Sequence, residues 1–414
     1  QELMGVSKSS IIINGQKIYY TNAPQMIPNS LTWETVTTYD IGVDFDLLRN
    51  RLSGSFDYYW RYTNDLLVNG PDYPQILGDD SPKGNYGSLK TKGWEASLSW
   101  RDTFKAGGKD FKYSVKVSVW DSRTWVRDFY NANGDIYNYY KGKELGEIWG
   151  FRTDGYFLSN EEASAWVQDK FHKNGSNMAA FAGDLKFLDL DDSGTIGYGK
   201  ATLENHGDLE RIGNAAPRYN YGINLAASWN GIGLSVFIQG VGKRDWYPSV
   251  DSGLFWGMYN RPYGELPKMH VKDAVRMDYS TENWKVLNPG AYYTRQVGYS
   301  ANRNVGPLAY ENDYYLQDAS YVRIKNITVD YTFPQALTRK AHIERLRIYL
   351  SMENLFTHSP MYKHTKLFDP EVIDFGDTDF RGEGNNYKTG LSGNGQGYSY
   401  PMLKTFTVGL NLTF

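Results

Sequence analysis

The chain ends on nine residues that alternate without a break. Phe406, Val408, Leu410, Leu412 and Phe414 face one way, and Thr407, Gly409, Asn411 and Thr413 the other. A period of two puts these sets on opposite sides of a strand. The same pattern recurs along the chain. Tyr39, Ile41, Val43, Phe45 and Leu47 share a face, as do Leu52, Phe56, Tyr58, Trp60 and Tyr62 against Ser53, Ser55, Asp57 and Arg61. Trp94, Ala96, Leu98 and Trp100 alternate with Glu95, Ser97 and Ser99, and Tyr113, Val115, Val117 and Val119 with Lys112, Ser114, Lys116 and Ser118. Tyr219–Trp229 and Ile232–Ile238 follow each other directly, and Leu346–Met352 repeats the pattern near the end. Charges avoid the apolar side of these runs. Such a chain must form sheet, and its apolar side must meet something other than water.

No apolar run approaches the roughly 18 residues of a membrane helix, and mean hydropathy is −0.57. Alternation hides the hydrophobicity of a membrane barrel from any averaging window. Aromatics make up 16% of the 414 residues, with 34 Tyr and 12 Trp, which fits interfacial girdles and equally a carbohydrate-stacking surface. The connections alternate too. Leu48–Arg51 and Asn230-Gly231 are tight, the latter suited to a type I′ hairpin, and Lys105–Asp110 and Phe333–Glu344 are modest. The others, about 63–86, 127–217, 245–315 and 357–401, are long. Short periplasmic turns and long extracellular loops mark an antiparallel transmembrane β-barrel. The count is about nine to eleven strands, an arc of a roughly 22-stranded barrel, whose open edges lipid cannot satisfy. Residues 1–34 read as an extracellular loop segment with a hairpin, Ile11–Ile13/Asn14-Gly15/Lys17–Tyr20, and 35–414 as wall. Parity slips between Ile324 and Ile327, a bulge or a strand break, with the bulge preferred. Glu147–Leu158 is kept inside the second long loop. Gln1 is no initiator and no leader precedes it, so the sequence is expected to be a piece, nicked in an external loop or recorded without its first half.

Several stretches in order resemble SusC/RagA-type TonB-dependent transporters. They are Leu31-Thr32-Trp33-Glu34-Thr35 with Tyr39–Phe45, Arg51-Leu52 with Asp57-Tyr58-Tyr59 and Asp65-Leu66-Leu67, and Lys92-Gly93-Trp94-Glu95. Gly183–Phe187 with Asp189–Ile196, Gln239–Asp245, Leu316–Tyr321 and Glu353-Asn354-Leu355-Phe356 continue the set. The resemblance implies the carboxy-terminal part of a barrel in the outer membrane of a Gram-negative, Bacteroides-type bacterium. It implies import of oligosaccharides, or in some members peptides, under a SusD-like surface lipoprotein, with energy from TonB-ExbB-ExbD. The family's plug and TonB box have no counterpart here. A receptor for iron chelates or cobalamin is a second reading, and a secreted β-rich carbohydrate-binding or hydrolytic protein a third.

Asp189, Asp191, Ser193 and Thr195, with Gly194 in the sixth place, match the start of a calcium loop; oxygen ligands at alternate positions suit Ca²⁺ or Mg²⁺. Lys200 stands where a bidentate acid is expected, and a plain Asp/Gly turn is the competing reading. No cofactor is required otherwise. Tyr137, Tyr139, Tyr140, Trp246, Trp256, Tyr259 and Tyr263 are candidate sugar-stacking residues on external loops, against the simpler reading that loop aromatics pack their own loop. The six histidines are scattered, cysteine is absent, and no carboxylate pair can be placed across a cleft, so no enzyme is indicated. Gly393–Gly397 lacks the strand and helix of a phosphate cradle. A net charge of −3 offers nothing to nucleic acid.

Overall fold

A computed structural model describes residues 6–21, 31–71, 76, 82–166, 180–249, 252–259, 266–297, 308, 310–373, 394–395, 397 and 399–414. Nine strands form one antiparallel meander, each bonded to its neighbour in sequence. They are β1 Thr35–Leu47, β2 Leu52–Asn69, β3 Lys83–Ala106, β4 Lys109–Asp128, β5 Arg218–Trp229, β6 Ile232–Lys243, β7 Tyr321–Thr332, β8 Arg345–His358 and β9 Thr405–Thr413. The sheet is open, with β1 and β9 at its edges.

The register turns local alternation into two continuous surfaces. One line of directly opposed residues crosses the whole sheet as Leu47, Leu52, Trp100, Val115, Leu225, Val236, Ile327, Met352 and Phe406. A line on the other side runs Asp44, Ser55, Ser97, Ser118, Gly222, Gln239, Arg323 and Thr357. Phe237 breaks the polar side, its ring lying over Gly222. Among the described residues no second sheet covers the apolar side: Ile41 is 66% exposed and Val408 77%. That much bare apolar area on a soluble protein would drive association; on a barrel it is the lipid contact.

One end of the sheet has short turns. Asn230 (φ 49°) and Gly231 (φ 86°) make the left-handed pair that a two-residue type I′ turn needs, between paired Trp229 and Ile232. Leu48, Arg49 and Asn50 are also left-handed, and the turn is pinned from β3, where Arg101 Nε donates to the Asn50 carbonyl at 2.7 Å and Asp102 accepts from Arg51 at 3.0 Å. At the other end the loops are long, with one correction. Leu66–Asn69 pair with Lys83–Gly87, so the two ends of the expected 63–86 loop are strand. The slip near Ile324 is a bulge. Phe237 faces Asn326 and the next residue, Ile238, faces Ile324, which leaves Lys325 as the extra residue of β7. The amino-terminal hairpin forms at Val6–Ile13 and Gln16–Thr21, turning on Asn14 and Gly15.

The buried core lies in the long loops rather than in the wall. Phe151, Phe187, Trp246, Tyr247, Phe255, Trp256, Tyr259, Tyr293 and Tyr315 are all at 0 or 1% exposure and belong to one cluster. The wall leaves its apolar side bare, whereas the loops bury their own apolar surface.

Candidate functional site

The loop layer is assembled mainly from two excursions, β4 to β5 and β6 to β7, with Met361, Phe368 and Ile373 added to its core from the segment after β8. Glu147–Phe151 pairs with Leu209–Asn214, and Thr153–Tyr156 with Leu185–Phe187, so Glu147–Leu158 stays within the excursion as expected. Tyrosine hydroxyls join the two excursions. Tyr156 bonds Tyr315 at 2.9 Å, and within the second excursion Asn312 donates to Tyr247 at 2.9 Å and Tyr259 to the Thr294 carbonyl at 2.7 Å. Arg295 clamps Asp184 with bonds of 2.8 and 3.1 Å. Burial raises the Asp184 carboxyl, and the Arg295 charge opposes that rise. The layer is therefore a preformed cap with a fixed aromatic interior.

This arrangement corrects the stacking assignments. Trp246, Trp256 and Tyr259 are at 0% exposure, their rings packed among Phe255, Phe368, Tyr315 and His270. Tyr140 is buried and donates its hydroxyl to Glu147. Tyr137 is half-buried against the same core, and Tyr139, 36% exposed, keeps an open face. Aromatic area buried inside the cap stabilises it more than the same area left wet, so most loop rings turn inward. Tyr263 lies outside the described residues, as does Gly393 of the glycine-rich run.

The acidic loop does converge. Asp189 accepts from the Ser193 and Gly194 amides at 3.1 and 2.9 Å, and Asp191 from Ser193 at 3.0 Å. The Ser193 and Thr195 hydroxyls lie 3.1 Å apart. A residue missed in the sequence, Asp208, completes the group: one carboxylate oxygen each from Asp189, Asp191 and Asp208 lies within 4.8 Å of the others. Lys200, at the twelfth position, contributes no acid, and the third carboxylate near Asp189 and Asp191 is that of Asp208. The approach of Asp208 depends on Gly207, where a Cβ would meet the Gly197 carbonyl at 2.3 Å. Burial raises the Asp208 carboxyl, while bonds from the Gly197, Leu190 and Asp191 amides pull it down. The Ser193 hydroxyl holds Asp191 below the usual range.

The polar side of the wall carries fixed charges. Arg323 is 2% exposed and donates to Thr357 at 2.7 Å, Glu371 at 2.6 Å and Asp369 at 2.5 Å. The bulged Lys325 reaches Glu371 at 2.7 Å. These bonds draw the segment after β8 onto the wall. Nearer the short turns two shallow concavities open, of about 580 Å³ by Arg101, Lys112 and Ser228, and about 470 Å³ by Asp330, Arg345 and Arg347. Such a surface offers hydrogen bonds and charge to a passing solute.

A family model described as TonB dependent receptor-like, beta-barrel, matches residues 9–161. TonB-dependent receptor P26 of Formosa agariphila is 26% identical over 401 residues, 94% of this chain and 35% of its own length. TonB-dependent receptor SusC of Bacteroides thetaiotaomicron is 25% identical over 413 residues, 97% of this chain and 34% of its own. A solved structure of the RagAB peptide transporter superposes with a TM-score of 0.64 at 19% identity, covering 100% of this chain and 38% of that one. The last likeness speaks to fold, and the chain spans about a third of the length of the curated relatives it matches. Two-faced sheet, short and long connections and these matches agree: the chain is an open antiparallel β-wall with a loop layer, similar in sequence to part of TonB-dependent receptors including SusC and in fold to part of the RagAB transporter.

Proposed function

We propose that this wall belongs to an outer-membrane importer that takes up oligosaccharides through its polar interior. The observation that carries the reading is the edge-to-edge apolar line of nine residues backed by a polar line on the opposite side. A sheet with those two surfaces separates lipid from water. Its open edges at β1 and β9 call for more barrel strands to complete the hydrogen bonding. In this reading the remaining amino-terminal barrel and plug supply them, TonB-ExbB-ExbD drives the plug, and a SusD-like lipoprotein covers the loop layer. The named relatives support the transporter class, and serine, threonine and asparagine hydroxyls and amides along the inner face suit sugar hydroxyls. The three carboxylates of Asp189, Asp191 and Asp208, with Ser193 and Thr195 beside them, would hold a hard cation that braces the loop layer.

A peptide substrate is the second reading. It is favoured by the likeness to the RagAB peptide transporter and by the opposite charges of Lys112, Asp330 and Arg347 on the inner face. The two readings separate by calorimetry on the full transporter purified with whatever lipoprotein accompanies it. Saturable heat with neutral oligosaccharides supports the first. Heat with peptides and none with sugars overturns it in favour of the second.

A further inference from the structure

The outward face of the wall changes character at one level. Along β3 from the short-turn end, outward positions carry Phe104, Asp102, Trp100, Leu98, Ala96 and Trp94, and then Lys92 and Lys90. Along β4, Phe111, Tyr113, Val115, Val117 and Val119 give way to Asp121, Arg123, Trp125 and Arg127. A tilted strand crosses the hydrocarbon in about ten residues, which from Phe104 reaches Trp94, with Asp102 paired to Arg51 at the short-turn edge of that stretch. The cations therefore begin where acyl chains end and headgroups begin.

Two of the five cations here are neutralised. Arg218 holds Asp121 through two bonds of 2.6 Å, and Arg123 holds Glu144 at 2.8 Å. Lys90, Lys92 and Arg127 have no carboxylate partner among the described residues. They stand beside rings instead: Arg127 lies 5.1 Å and Lys90 5.7 Å from the Tyr62 centroid, and Lys92 opposes Trp60 in the ladder. A solvated surface normally mixes signs. Three cations without an ion-pair partner, interleaved with aromatic rings above a lipid-facing belt, make a headgroup-level anion site, with Asp128 standing opposite Ser88 on the adjoining rung.

We propose that the outward rim of β2–β4 binds the anionic, phosphate-bearing headgroup of a lipid in the adjoining leaflet. Lys90, Lys92 and Arg127 meet the phosphate, and Trp60, Tyr62 and Trp125 pack at the boundary with the acyl chains. Continuity with the apolar belt selects a lipid over a soluble anion, because the ligand's tail continues down the surface its head is bound above. The site rests on the outer-membrane reading given above.

The test uses the full transporter in detergent and the variant K90Q/K92Q/R127Q. Native mass spectrometry follows retained adducts during titration with phosphatidylglycerol, phosphatidylcholine and inorganic phosphate. Phosphatidylglycerol is expected to be retained over phosphatidylcholine, and retention to fall about fivefold per removed cation, on the order of 100-fold in the triple variant. The charge-keeping K90R/K92R variant should retain it as the wild type does. Equal retention by wild type and triple variant overturns the site, and displacement of the lipid by inorganic phosphate overturns its assignment to a lipid. Both proteins are also inserted into phosphatidylcholine vesicles. Failure of the wild type to insert overturns the membrane reading itself, whereas insertion together with equal retention of phosphatidylglycerol and phosphatidylcholine in the mass spectra overturns the headgroup site alone.

Discussion

His270 sits at the centre of the loop core at 0% exposure, its Nε2 donating to the Phe255 carbonyl at 2.8 Å and its ring against Tyr259 and Tyr293. Burial pushes its pKa down to about 4, against a smaller upward pull from the Phe255 bond. The unfolded loop takes up a proton near the ordinary value of about 6.5. Between those values the unfolded form binds the proton and the folded form does not, so stability is complete above about pH 6.5 and lost as pH falls toward 4. The loss amounts to about 3 kcal/mol at most. Limited proteolysis of the cap should therefore quicken between about pH 7 and pH 5, and His270→Gln, which keeps a donor for Phe255, should flatten that dependence. The acidic group makes a second residue-scale prediction. Calcium at about a hundredfold excess over its Kd should stabilise the protein by about 3 kcal/mol, and Asp189→Asn with Asp191→Asn should abolish the gain. Identical melting curves with and without chelator would remove the cation from this loop. The nearness of Asp189 and Asp191 to each other was legible because their spacing is local. Asp208 was not, since the close approach of Gly207 to Gly197 brings it in.

At the scale of elements, turns and strands followed from short-range chemistry. Asn230-Gly231 and Asn14-Gly15 were readable as hairpin turns because few residue pairs accept two left-handed conformations in succession. At Gly231 a Cβ would also meet the Thr332 carbonyl at 2.5 Å. Gly231→Ala should cost roughly 1–2 kcal/mol from the left-handed backbone alone, more with the contact, visible as a lower denaturant midpoint. The bulge at Lys325 was legible as a break in parity, and it turns that lysine toward Glu371. The extension of β2 and β3 beyond Tyr62 was missed. Register shifts between Thr63 and Leu67 interrupt the alternation that would have announced it, and Asp65 there is left-handed.

For the whole molecule, the decisive property is that adjacent residues face different solvents. Ile223 lies on the apolar side between Val117 and Ile238, and Asn224 on the polar side between Lys116 and Phe237. Ile223→Arg should destabilise the bilayer-inserted sheet by about 2–4 kcal/mol, and Asn224→Arg by much less. The comparison is read as folding yield into phosphatidylcholine vesicles. Equal yields for the two variants would mean that the sheet does not divide lipid from water.

Strand parity and turn dihedrals depend on neighbours within a few residues, so the two-faced wall, its order of short and long connections and several of its turns can be read from the order of residues alone. Which aromatics are sealed inside the cap, the joining of Asp208 to Asp189 and Asp191, and the grouping of Lys90, Lys92 and Arg127 on one outward rim emerge only in the folded chain. Those outcomes depend on segments far apart in the chain coming together. The pairing of strands and the burial of loop surface set them, and no local pattern encodes either.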